Sequence, residues 1–173
     1  MRRAPDLVIT GVNRVGLQLD QLRQLDPSDL VMRVGRPIFV VPPEAEYLKL
    51  KCALVAWKDT REARRAVYDA LPLLHKAKEV NVVEVILHDG DDREAAQGRV
   101  NDVTAWLRRH SISAYGTVLC ASDEEDQIEQ IRQYGADFLV AGAYGHTRLR
   151  EWVLGGFTRS VLTHSRHCAL LTH

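Results

Sequence analysis

Short, almost unbroken apolar runs alternate with longer amphipathic stretches along most of this chain. Cys52-Ala53-Leu54-Val55-Ala56-Trp57 is one such run, suited to a strand buried on both faces. After it, Ala63, Ala66, Val67, Ala70, Leu71 and Leu74 recur at i, i+3, i+4, i+7, i+8 and i+11, which is one helical face. Asp59 or Thr60 caps that helix, and Pro72 predicts a kink or an early end. A second strand follows from Val80 to Leu87, then a helix carrying Ala96, Val100, Val103 and Leu107 inward. Tyr115 to Cys120 is a third strand. Asp123-Glu124-Glu125-Asp126 places negative charge at the start of a third helix, where the dipole favours it, and Ile128 and Ile131 face inward. Asp137–Ala141 and Cys168–Leu171 make strands four and five. Five strands separated by helices predict an α/β fold, with an open parallel sheet covered on both faces.

The front of the chain repeats part of this pattern. Pro5-Asp6-Leu7-Val8-Ile9-Thr10-Gly11 matches Ala136-Asp137-Phe138-Leu139-Val140-Ala141-Gly142 at an offset of 131. Without a gap, the same offset sets Leu30-Val31-Met32 on Val161-Leu162-Thr163 and Ile38-Phe39-Val40 on Ala169-Leu170-Leu171. An Asp-led strand, a loop, a helix and a final strand thus occur twice. Pro42-Pro43-Glu44-Ala45-Glu46 reads as a linker, because two prolines block a strand. The expected organisation is a strand–helix–strand remnant over 1–45 and an entire domain over 46–173.

Composition narrows the function classes. Lys and Arg number 23, as do Asp and Glu, so the formal net charge is zero, which argues against a duplex-DNA footprint. Arg61-Glu62-Ala63-Arg64-Arg65 reads as the solvated face of a helix. No apolar run approaches the roughly 20 residues of a membrane span, and Met1-Arg2-Arg3 precedes no signal-peptide core. Cys52, Cys120 and Cys168 stand far apart in strands, as expected for reduced thiols in a cytoplasmic protein. The seven histidines show no HExxH spacing, and no G-x-S-x-G turn is present, so the chain offers no catalytic or metal set.

The densest candidate chemistry follows strand four. Gly142 and Gly145 stand in one stretch, and Gly155-Gly156-Phe157-Thr158 precede the apolar run Val161–His164. Glycines admit close backbone approach, and unpaired N–H groups at a helix start attract anions. Neither G-x-x-x-x-G-K-[ST] nor G-x-G-x-x-G occurs. The spacing G-x2-G-x9-G instead resembles the nucleotide-binding signature of the universal stress protein family. Ala141-Gly142-Ala143-Tyr144-Gly145-His146-Thr147-Arg148-Leu149-Arg150-Glu151 is similar to its proteobacterial tandem-domain type.

The resemblance implies strand order 3-2-1-4-5 for the entire domain, an adenine-nucleotide hydrolase-like sheet. The order reverses between strands one and four, and ligands bind at the carboxyl ends there. Trp57, Lys58, Asp59 and Thr60 meet the glycine loop at that point. The resemblance implies ATP or another adenine nucleotide as ligand, held by Gly142, Gly145, Gly155, Gly156, Phe157, Thr158, Trp57, Lys58 and Asp59. Two positions depart from the family pattern: Gly156 stands where Ser or Thr is usual, and Lys58 where an Asp commonly contacts the nucleoside. Lys58 can attract phosphate or face water, as can His146, Arg148 and Arg150. In the first copy, Arg14, Gln24 and Leu25 replace Gly145, Gly155 and Gly156, so no nucleotide is expected there. Three readings follow in order: a nucleotide-binding stress protein, a dimerisation module that has lost the nucleotide, and a slow nucleotide hydrolase. The last strand of the family commonly pairs antiparallel with its counterpart. Ile38-Phe39-Val40-Val41 can supply that counterpart within this chain, leaving Leu7-Val8-Ile9 as an open edge for a homodimer through residues 1–45.

Overall fold

The computed structural model describes residues 6–11, 27–87, 93–143 and 167–173. The elements in chain order are β1 (Val8–Gly11), α1 (Pro27–Val34), β2 (Ile38–Val41), β3 (Cys52–Ala56), α2 (Arg61–Leu74), β4 (Glu79–Leu87), α3 (Arg93–Arg109), β5 (Ala114–Ala121), α4 (Glu124–Gln133), β6 (Phe138–Gly142) and β7 (Cys168–Thr172). Among the described residues they form one seven-stranded sheet in the order β1-β2-β7-β6-β3-β4-β5. The five strands from β3 to β7 are parallel and have the expected 3-2-1-4-5 order. The expected N-terminal strand–helix–strand unit is present and extends the same sheet, so the whole is mixed and larger than five strands.

Two hydrophobic layers cover the sheet. On one face α2 and α3 press Ala66, Val67, Leu74, Val100 and Leu107 against Val55, Val82, Phe138 and Leu170. On the other, Val31 of α1 and Ile131 of α4 lie against Ile38, Leu54, Leu139 and Leu171. The apolar residues that α2 and α3 bury are those given by the apolar period, with Leu71 only half-buried; Glu62 and Thr104 are buried beside them. Pro72 lies on the exposed side, and α2 ends two residues later at Leu74. The Pro42–Leu50 connection is a packed turn rather than a loose linker: Ala45 N–H donates to Pro42 O, and Ala45, Leu48 and Leu50 rest against the core.

The sequence repeat is matched in strand register. Val8 pairs with Ile38, Ile9 with Phe39, Thr10 with Val40 and Gly11 with Val41. At the same offset of 131, Leu139 pairs with Ala169, Val140 with Leu170, Ala141 with Leu171 and Gly142 with Thr172. β2 and β7 run antiparallel with Phe39 opposite Leu170, the two residues that the repeat equates. A local pseudo-two-fold therefore relates β1–β2 to β6–β7. The Asp that opens each copy has a visible structural task in the second. Asp137 Oδ2 accepts the N–H groups of Lys51 at 2.9 Å and Cys52 at 2.8 Å, fastening the start of β3 to the start of β6.

Candidate functional site

β3 and β6 are hydrogen-bonded neighbours, yet they are separated by two strand–helix units in sequence. The chain leaves β3 toward β4 on one side, whereas β6 leads to β7 on the other. Their carboxyl ends therefore splay the following segments apart and open a crevice, the place where such sheets hold ligands.

The β3 side of this crevice is well defined. Trp57 N–H still donates to Val83 O of β4 at 2.8 Å, so the strand geometry continues one residue past β3. Lys58 and Asp59 are exposed. Thr60 is the N-cap of α2, its hydroxyl accepting the Ala63 N–H at 3.2 Å. Of the two capping candidates, Thr60 serves because its hydroxyl lies against the first turn; Asp59 instead pairs with the Arg64 guanidinium. The run Arg61–Arg65 is solvated only in part. Arg61, Arg64 and Arg65 are exposed, but Glu62 is 2% exposed. Arg65 also ties the elements together, donating to Gly35 O beyond α1 and to His173 O beyond β7.

Glu62 is buried because the first turn of α2 sits directly on the end of β6. A Cβ placed at Gly142 would lie 2.5 Å from Ala63 N, 2.7 Å from the Glu62 carbonyl carbon and 2.9 Å from Ala63 Cα. Gly142 thus has a packing role: no side chain fits where helix and strand meet. β6 then continues to Ala143, whose N–H donates to Thr172 O at 2.8 Å, with His173 Nδ1 3.2 Å from Ala143 O. Trp57, Lys58, Asp59 and Gly142 are therefore brought together at one end of the sheet. The predicted site residues Gly145, Gly155, Gly156, Phe157 and Thr158 lie outside the described residues, as do Arg14, Gln24, Leu25, His146, Arg148 and Arg150. Sequence reasoning missed Glu62, whose position inside a charged run gave no sign of burial.

Among the described residues, no group of three His, Cys, Asp or Glu side chains is placed to hold a metal, and no helix is long and apolar enough to cross a membrane. Burial pushes the thiols of Cys52 and Cys168 above their ordinary range, with the Asn81 amide opposing the shift at Cys52. Both are poor nucleophiles at neutral pH in that state.

This architecture has clear relatives among solved structures. A universal stress protein from Archaeoglobus fulgidus superimposes with a TM-score of 0.71 at 16% identity, over 96% of this chain and 60% of that one. The hypothetical protein MJ0577 gives 0.60 at 20% identity, over 71% of this chain and 95% of its own. A universal stress protein solved in complex with cAMP gives 0.51 at 13% identity, over 71% and 97% of the two chains. The chain has the universal stress protein fold. It spans about three-fifths of the Archaeoglobus fulgidus protein, N-terminal unit included, and most of the length of the other two. No protein-family model matches the sequence, and none of the curated proteins matches it.

Proposed function

We propose that this protein is a cytoplasmic universal stress protein that binds ATP or another adenine nucleotide over the carboxyl ends of β3 and β6. The observation that carries this reading is the convergence of Trp57–Thr60 with Gly142 at the point where the strand order reverses. The glycine-punctuated segment 142–158 starts from that point. Gly145, Gly155, Gly156, Phe157 and Thr158 would offer backbone donors to phosphate, and the exposed Lys58 ammonium would lie beside them. Asp59 is already engaged by Arg64, so its part in holding the nucleoside requires that ion pair to open. The cAMP complex of a protein with this fold supports a cyclic or linear adenine nucleotide as the ligand class.

Residues 1–45 are, in this reading, the tail of a first stress-protein domain without a nucleotide site. The matched registers of β1–β2 and β6–β7 support that assignment. β1 is the outer strand on this side of the described sheet, and Ile9 is 67% exposed along it. Such an edge favours pairing with a second copy, giving a homodimer that leaves the β3–β6 crevice accessible.

Two observations favour a second reading, a dimerisation module that has lost the nucleotide: the space beside Gly142 is filled by α2, and Lys58 cannot accept a hydrogen bond from a ribose hydroxyl. Denaturing the purified protein and analysing released nucleotide separates the two. Released or soaked-in adenine nucleotide is the expected result; none after soaking selects the second reading, and accumulating ADP above the background of a Gly145→Val variant selects slow hydrolysis.

A further inference from the structure

A cavity of about 510 Å³ opens between α2 and α3, on the sheet face that carries both helices. Its size falls within the range of small-molecule pockets, about 300–1,000 Å³. Trp57, Tyr68 and Trp106 supply aromatic walls from the end of β3, from α2 and from α3. Tyr68 is 66% exposed, a large ring at the rim. Trp57 is 8% exposed, and its indole N–H is buried without an acceptor among the described residues. Buried indole N–H groups ordinarily have one.

Charged groups converge beneath these rings. Glu84 follows Val83, the residue that β4 pairs with the end of β3, and is itself 5% exposed. Arg99 of α3 grips its carboxylate through both Nε and Nη2, the Nε–Oε1 distance being 3.0 Å. Arg64 is matched by Asp59 through Nη2 alone. Asp102 then adds a further carboxylate at the exposed side, so two carboxylates and two guanidiniums line the cavity, with Arg99 already taken up by Glu84. That balance disfavours an anion. It also sets the cavity apart from a phosphate-binding crevice.

We propose that this cleft is a second ligand site, for an uncharged planar heteroaromatic molecule that carries a hydrogen-bond acceptor and an N–H donor. The ring stacks between Tyr68 and Trp106. Its acceptor is directed to the Trp57 indole N–H, which has no acceptor among the described residues. Its donor is directed to the Asp102 carboxylate. The site is built from described residues alone, and it shares Trp57 and Asp59 with the crevice over β3 and β6.

Titration of the nitrogen-labelled full chain with a quinolinone tests this, using two-dimensional NMR of the indole N–H signals. Naphthalene serves as the hydrocarbon control and a quinoline carboxylate as the anionic one. Replacing each tryptophan by phenylalanine assigns the signals, two variants sufficing by elimination if one fails to fold. The quinolinone is expected to shift the Trp57 indole signal saturably and to bind about fivefold or more tighter than either control. Tyr68→Ala, at an exposed position, should weaken it by about threefold or more without unfolding the chain. Equal binding of naphthalene or of the carboxylate, an unmoved Trp57 signal at saturation, indifference to Tyr68→Ala, or no binding at millimolar probe would each overturn the assignment.

Discussion

Replacing Gly142 by alanine is the sharpest test of how the crevice is built. The added methyl would meet three backbone atoms of the first turn of α2, the nearest at 2.5 Å, where ordinary contacts begin at 3.4 Å. Backbone cannot rotate aside as a side chain can, and Ala63 and Glu62 are both buried. The turn must therefore move by nearly an ångström, carrying the Thr60 cap with it. Overpacking a rigid core costs about 1–3 kcal/mol, and the rigidity of these neighbours places this case near the top. For a chain of this size, about 3 kcal/mol corresponds to a fall in Tm of roughly 6–12 °C. Gly98→Ala provides the opposite control. Gly98 lies on the exposed side of α3 with nothing within 4 Å of its missing Cβ. That change should stabilise by roughly 0.5–1 kcal/mol, because alanine is the better helix former. Urea and thermal unfolding followed by circular dichroism measure both. A Gly142→Ala protein within about 0.5 kcal/mol of its parent would mean that α2 is not seated on β6 as described.

Other consequences follow from the same contacts. Asp137→Ala leaves the N–H groups of Lys51 and Cys52 without their carboxylate and should cost about 2 kcal/mol, read from the urea midpoint; an unchanged midpoint would show that the fastening of β3 to β6 adds nothing. Burial raises the folded pKa of the Cys52 and Cys168 thiols above the ordinary thiol value, so the unfolded chain loses these protons first. Their contribution is complete below the unfolded value and is lost as pH rises through the folded one, so stability should decline in alkaline solution. A Cys52→Ser, Cys168→Ala variant should lose that part of the decline, and an identical slope in both proteins would refute it. Sedimentation at micromolar concentration should give a dimer for the intact chain and a monomer for Ile9→Lys, which places charge on the open edge; a monomeric parent, or a variant dimer of equal strength, would exclude pairing through β1.

The apolar periods of α2 and α3 are legible because those helices bury one face against one layer. Residues from Ala63 to Leu74 carry the pattern without interruption. Strands β3, β6 and β7 are legible for a related reason: both of their faces are covered, so they read as continuous apolar runs. Strand order came from the resemblance to stress proteins, since periodicity carries no information on which strands are neighbours. The buried Glu62 was hidden because its environment is set by Gly142, distant in sequence. The paired N–H groups on Asp137 are likewise long-range, so the repeated Asp marked a unit without revealing what it fastens. The Trp57–Thr60 half of the candidate site was readable at the end of an apolar run. The cleft between α2 and α3 was not, because Tyr68 and Trp106 line one cavity only after both helices are laid on the same face.

The central claim is that an adenine nucleotide rests over β3 and β6 with its phosphates on the segment from Gly142 to Thr158. Calorimetric titration of the intact chain with ATP, beside a Gly145→Val variant whose folding is checked by circular dichroism, addresses it directly. Saturable binding with one nucleotide per chain is expected, with a loss of at least roughly tenfold in affinity, about 1.4 kcal/mol, for the variant. Absence of binding to the intact chain, or undiminished affinity in a well-folded variant, would contradict it.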